Sequence, residues 1–279
     1  MLPHFLDKLL PPLFRRALRK RAVRQERKNF ALGYVMPSLR HIKTWLTESR
    51  ERTNFTYDLT DINLFYLAHT VSLVTGVSWK DAAAYIREAR EDRELEEHVA
   101  KAVASSPFRF EADEKVLWGR RLGWYAFVRA RKPAVVVETG VDKGHGSVLL
   151  CSALLRNRAE GRPGRYYGTD INPAAGYLLG GKYRETGEIL YGDSIESLKK
   201  LDARVDLFIN DSDHSADYEY REYNTVVSKL APGAIILGDN SHATDALARF
   251  ASERGRKFLF FRESPKAHWY PGAGIGISF

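Results

Sequence analysis

The chain has 279 residues, 44% of them hydrophobic, and a single cysteine, Cys151. That length suits one globular domain with an extension, the apolar content buries an ordinary core, and one cysteine excludes an internal disulfide framework, which fits a reducing, cytoplasmic compartment. The net charge of +8 is concentrated in residues 1–30, where nine Lys/Arg face only Asp7 and Glu26, so the rest of the chain is nearly neutral and its basicity is no argument for a nucleic-acid partner.

Residues 1–50 read as a basic, partly amphipathic leader. Leu2, Phe5, Leu6, Leu9 and Leu10 recur at helical spacing, as do Leu13, Phe14, Ala17 and Leu18 beyond Pro11-Pro12. Its charges follow the apolar residues, unlike a secretory signal, and no apolar run reaches membrane-spanning length. Two readings stand: a helix packed on the protein or on a second subunit, with its charges solvated, and a helix adsorbed peripherally to an anionic membrane.

Residues 51–110 read as a helical cap or dimerisation region. Thr60 or Asp58 caps a helix carrying Leu64, Phe65, Leu67, Ala68, Val71 and Val74, which Gly76 ends. Ser78-Trp79-Lys80-Asp81 resembles a capping box, with Asp for Glu, and opens a second helix. A third spans about Leu95 to Ala104.

From residue 111 to 279, short β-branched runs alternate with helical stretches, which indicates an α/β fold with a mostly parallel sheet. Seven strands are expected: 134–137, 165–169, 188–191, 205–209, 234–237, 257–261 and an antiparallel last strand at 274–279.

The first strand runs into Glu138-Thr139-Gly140-Val141-Asp142-Lys143-Gly144-His145-Gly146-Ser147. Glycines let the backbone approach a ligand, and the following helix offers free N–H groups. The spacing G-x-x-x-G-x-G departs from the dinucleotide pattern G-x-G-x-x-G. An acid two residues before the first glycine suits an ammonium group better than a pyrophosphate, which favours S-adenosylmethionine (SAM) over NAD. Gly140, Gly144, Gly146 and Ser147 are therefore cofactor-binding candidates with Glu138. Asp170 ends the second strand, where a carboxylate accepts from ribose hydroxyls. Asp193 and Ser194, after the third, either meet adenine or cap the next helix.

Asn210-Asp211-Ser212-Asp213-His214 follows strand four and Gly238-Asp239-Asn240 follows strand five. Adjacent strand ends face one crevice, so Asp211, Asp239 and Asn240 form an oxygen set suited to Mg²⁺ or Mn²⁺, with Asp211 also bordering the cofactor. The alternative is that these groups bond backbone amides and water. Asp213 and His214 are candidate general bases. Trp269-Tyr270-Pro271-Gly272 is read either as an acceptor-pocket wall or as a packed aromatic pair.

Taken together, these motifs resemble the class I SAM-dependent methyltransferases, and within them the metal-dependent O-methyltransferases of family 24, which includes the macrocin-type sugar enzymes. Asp211-x-Asp213-His214-Ser215, the Leu230-Ala231-Pro232-Gly233-Ala234 turn and Asp239-Asn240 carry the resemblance, which covers residues 111–279. It implies a Rossmann-like seven-stranded sheet. It implies that Glu138 and the glycine turn hold the methionine part of SAM, that Asp170 holds ribose and that Asp193 lies near adenine. It further implies that Asp211, Asp239 and Asn240 bind a divalent metal and that Asp213 is the base. His214 falls where catechol-type relatives carry a catalytic lysine, which argues against a phenolic substrate and leaves the choice of base between Asp213 and His214 open. The expected partner is a small-molecule hydroxyl acceptor, with a homo-oligomer open.

The rivals are a non-catalytic SAM-binding scaffold and a methyltransferase acting on a macromolecule. Against the latter, Asn210–Asp213 lacks the paired prolines of amino-directed DNA enzymes, and Cys151 lies within the helix after the glycine turn rather than in a nucleophile position. A hydroxylase ranks lower still, because no His-x-Asp…His order for an iron triad is present.

Overall fold

A computed structural model describes residues 11–239 and 241–279, in two compact units: one runs up to Glu48 and includes Ala267–Tyr270, the other spans Ser49–Lys266 and Pro271–Phe279. The first unit is built on one helix, α1 (Pro12–Glu48), continuous through Pro37 and with no buried residue. Trp45 near its end meets Trp269 edge to face, with ring centroids 5.3 Å apart. The apolar spacing read in Leu2–Leu10 lies outside the described residues. No described helix is long and apolar enough to cross a membrane.

The second unit begins with a two-residue strand, β1 (Asp58–Leu59), and three helices, α2 (Asp61–Thr75), α3 (Trp79–Arg90) and α4 (Arg93–Ser105). Thr60 stands at the N-cap position of α2 without a side-chain cap bond, and Gly76 closes the helix in the left-handed region. Asp58 instead lies in β1 and pairs with Arg90 at 2.7 Å. The Ser78 hydroxyl accepts from Asp81 N at 3.1 Å and donates to the Asp81 carboxylate at 2.6 Å. This satisfies one orphan amide at the start of α3.

Helix α5 (Arg121–Arg131) has no counterpart among the elements expected from sequence, because apolar residues cover its whole circumference and blur the 3.6-residue period. It is buried from Arg121 to Arg129 and packs against α2 and α3. The Arg129 guanidinium donates to Glu88 of α3 at 2.7 Å and to Glu160 at 2.6 Å, and the Tyr125 hydroxyl donates to Glu88 at 2.6 Å. Glu88 thus ties the helical cap to the buried Arg129 and Tyr125 of the helix beneath it.

The main sheet contains β2 (Val135–Thr139), β3 (Arg165–Asp170), β4 (Gly187–Tyr191), β5 (Val205–Asn210), β6 (Leu230–Gly238), β7 (Phe258–Arg262) and β9 (Gly274–Ser278). Its order is β4-β3-β2-β5-β6-β9-β7, parallel except for β9, which runs antiparallel to both neighbours. A short strand β8 (Pro265–Lys266) pairs with β1. Helices α6 (His145–Ala159), α7 (Ser194–Lys200), α8 (Ala216–Val226) and α9 (Ala246–Glu253) make the crossovers. One face buries Val137, Phe208 and Ile236 against Tyr223, Val226, Leu247 and Phe250. β2 and β5 are buried on both faces, so they read as continuous β-branched and aromatic runs. This is the Rossmann-like arrangement expected from sequence, and strand order reverses between β2 and β5, where such sheets bind ligands.

Substituting Glu88 by Ala removes one of the two carboxylates from the buried Arg129 guanidinium. The cost should be about 2 kcal/mol, below the ~3–5 kcal/mol of a fully orphaned buried charge because Glu160 remains. A calorimetric melt checks this, and an unchanged Tm would show that the clamp carries no stability.

Candidate active site

The carboxyl ends of β2, β3, β5 and β6 bring the glycine turn, Asp170, Asp211 and Asp239 to one edge of the sheet. Gly140 has φ +81°, and a Cβ there would lie 2.0 Å from the Asp211 carbonyl oxygen, so the position requires glycine. Gly144, also left-handed at φ +97°, stands at the N-cap of α6. The missing side chain of Gly146 makes room for the Glu138 carboxylate, which a Cβ would meet at 2.0 Å.

Asp170 shapes this turn directly. One of its oxygens accepts from Val141 N at 3.1 Å and Asp142 N at 2.8 Å, and the other accepts from Asn172 N at 2.8 Å. Carboxylate oxygens hold about four acceptor positions between them, so three amides leave room for a further donor.

Glu138 is 1% exposed. Its carboxylate accepts from the Tyr166 hydroxyl and from Ser147 Oγ at 3.3 Å. Burial pushes its carboxyl up to about 7, against the lowering effects of Tyr166, the Arg121 guanidinium and Ser147. Around it lie polar groups that sequence reasoning missed. Arg121 donates to the Phe55 carbonyl at 3.2 Å, while its Nε is buried without a partner among the described residues. His145 Nε2 is likewise buried and unpartnered. Burial, with Arg121 and Lys143 nearby, holds this imidazole well below its ordinary range and so neutral. Phe55 stacks on the His145 ring at 6.3 Å and receives Lys143 Nζ over its face at 4.2 Å.

Asp211 and Asp239 also meet. Burial and the neighbouring Asp239 charge raise the Asp211 carboxyl well above its ordinary range. Burial would raise Asp239 too, but the Arg120 guanidinium holds it below the ordinary carboxylate range. Arg120 binds Asp239 through two parallel contacts, Nε to Oδ1 and Nη2 to Oδ2, the second at 2.6 Å. Its Nη1 donates to the Tyr57 hydroxyl at 2.8 Å, and Tyr57 donates to Glu263 at 2.8 Å.

The divalent metal implied by the resemblance does not fit this arrangement. Both Asp239 oxygens already face a guanidinium, whose charge would repel an incoming cation. Asn240, the third expected ligand, lies outside the described residues.

Other expected site residues have local roles. Asp193 is the N-cap of α7, accepting from Glu196 N at 3.0 Å, and its second oxygen accepts from the Tyr218 hydroxyl at 2.8 Å. Ser194 donates to Glu222 and also meets the Tyr218 hydroxyl at 2.9 Å. Asp213 is exposed and accepts from Ser215 N at 2.7 Å, which holds its carboxyl below the ordinary range and makes it a weaker base than a free carboxylate. His214 is exposed. Beside the glycine turn a cavity of about 250 Å³ is lined by Arg52, Phe55, Phe108, Lys143, Asn172 and Tyr177, among others.

Arg120 and Arg121 were illegible in sequence because they sit at the start of the unforeseen α5, 18 and 17 positions before Glu138. The available signal was Trp118-Gly119-Arg120-Arg121: two cations beside a turn glycine, leading into the apolar run Leu122–Val128.

Residues 137–241 match the family model described as a methyltransferase domain. No curated protein sequence matches the chain. Among solved structures, the O-methyltransferase TomG of Streptomyces achromogenes, in complex with SAM, superposes with a TM-score of 0.50 at 18% identity, over 66% of this chain and 89% of that one. The O-methyltransferase of Bacillus cereus with SAH (S-adenosylhomocysteine) aligns at 0.46 and 15% identity, over 67% and 91%. SAH-bound PaMTH1 of Podospora anserina aligns at 0.46 and 17%, over 66% and 86%. The family model thus covers the centre of the sheet, and the likeness to the solved structures is one of fold.

Glu138 yields a pH prediction. Its folded-state carboxyl titrates near 7 and its ordinary value is 4.5. Between these values the folded chain keeps a proton that the unfolded chain has released, so this group's stabilisation is full below about pH 4.5 and is lost as pH rises through 7. The loss is on the order of 3 kcal/mol. Melts from pH 5 to 8 should show a clear fall in Tm for the wild type and a flatter profile for Glu138→Gln. Parallel profiles would remove Glu138 as the source.

Proposed function

We propose that this chain is a SAM-dependent methyltransferase that transfers the sulfonium methyl group to an oxygen of a small molecule. The observation that carries the reading is the buried polar set beside the glycine turn. SAM presents an ammonium, a carboxylate and a ribose at fixed spacing. Glu138 offers a carboxylate to the ammonium, the unpartnered Arg121 Nε offers a donor to the carboxylate, as does His145 Nε2 in its Nε2–H tautomer, and Asp170 retains acceptor capacity for ribose. Buried donors without partners are costly in a folded protein unless a ligand satisfies them.

The chemistry follows from charge. As an oxygen attacks the methyl carbon, the S–C bond breaks and the sulfonium charge is neutralised, so a water-poor cleft favours the transition state over separated charges. The aromatic-walled cavity of about 250 Å³ suits a small acceptor. Oxygen as the methylated atom is carried over from TomG, named an O-methyltransferase. Asp213 and His214 stay as the proposed bases, with His214 favoured by the weakened basicity of Asp213.

Calorimetric titration with SAH tests the reading. One molecule should bind per chain, and Asp170→Ala should weaken binding at least ~10-fold, equivalent to about 1.4 kcal/mol. Because Asp170 also holds Val141 and Asp142, its Tm should fall in parallel. No saturable binding up to about 1 mM SAH, an affinity of only ~4 kcal/mol, would retire the proposal.

A further inference from the structure

We infer that the Arg120 guanidinium occupies the place of a divalent cation at this sheet edge, so that the chain carries its own cation and takes no metal between Asp211 and Asp239. The inference rests on the methyltransferase reading only for the location of the acceptor; the ion pair stands without it.

The geometry is that of a planar fork closed on a carboxylate, with Arg120 Nε and Nη2 on the two oxygens of Asp239. A metal bound there would sit beside a guanidinium already closed on both Asp239 oxygens, whose positive charge opposes it. Arg120 has little room to retreat. Its side chain is 11% exposed, and Nη1 is held by Tyr57, itself 2% exposed. Tyr57 is anchored in turn by the 1% exposed Glu263, whose other oxygen accepts from Ala273 N at 2.7 Å. Such a chain of satisfied buried groups fixes the cation in one position.

The substitution changes what the site supplies. A guanidinium offers five N–H donors and never a coordination bond. Three of these are engaged by Asp239 and Tyr57 among the described residues. One N–H on Nη1 and one on Nη2 remain. Arg120 is thus a positioning residue that orients Asp239 and gives the edge its positive charge.

The test is Mn²⁺ binding to the full-length protein, read by electron paramagnetic resonance, with and without SAH. The wild type should show no saturable site at this pair up to millimolar Mn²⁺. Arg120→Met, of similar length and uncharged, should gain at least tenfold in Mn²⁺ affinity, and Asp239→Asn on that background should remove the gain. Wild-type binding at one ion per chain, abolished by Asp239→Asn, would overturn the inference. Wild-type binding that survives Asp239→Asn places the ion elsewhere and upholds it. A folded Arg120→Met variant with no gain would also overturn it; if that variant fails to fold, the wild-type and Asp239→Asn titrations decide. Failure to bind SAH in the same samples would retire the methyltransferase reading and leave the Mn²⁺ result standing.

Discussion

The buried ion pair between Arg120 and Asp239 is the contact on which the site's architecture depends. It joins the residue that precedes α5 to the residue that follows β6. Through Tyr57 and Glu263 it reaches the segment before β1 and the end of β7. Four stretches that are remote in sequence are therefore fixed together by one guanidinium. The pair also sets the carboxyl affinities: Arg120 holds Asp239 below the ordinary range, and burial with the Asp239 charge raises Asp211 above it. An ion pair taken out of water contributes little net stability but is costly to break on one side. Its role here is to fix geometry and charge.

The cofactor end of the cleft has a different logic. There the groups are arranged but incompletely satisfied. Asp170 and the glycine turn are preorganised by backbone hydrogen bonds, and Gly140 can be no other residue. Around Glu138, by contrast, a carboxyl of perturbed affinity stands near buried nitrogens with no partner among the described residues. Perturbed groups in a cleft mark functional sites more often than structural ones. A zwitterionic ligand would supply the missing partners, and a positive ammonium beside Glu138 would draw its carboxyl back toward the ionised form.

Much of this was legible in the sequence, for identifiable reasons. The strands were legible because burial on both faces demands uninterrupted runs such as Val135-Val136-Val137 and Leu207-Phe208-Ile209. The α3 start was legible because Ser78 and Asp81 carry its capping chemistry in their side chains. Strand ends were read one or two residues short, since Glu138, Thr139, Asp170 and Asn210 look like loop residues but remain in register with their neighbours. Helix α5 escaped because it is apolar all round. The Arg120 fork escaped for a deeper reason: a motif reading treats Asp211 and Asp239 as free ligands, and only tertiary structure brings a guanidinium from outside the motif onto them. The Tyr166–Glu138 bond is of the same kind, with partners 28 positions apart on adjacent strands.

The central claim is that this sheet edge takes a sulfonium nucleotide beside an internal cation. A crystal structure with SAH, grown in the presence of Mg²⁺, tests it most directly. The account predicts the homocysteine moiety over the glycine turn with its ammonium at Glu138, ribose at Asp170, and Arg120 still forked onto Asp239. Density for an ion between Asp211 and Asp239 with Arg120 swung aside, or a nucleotide bound away from the glycine turn, would contradict it.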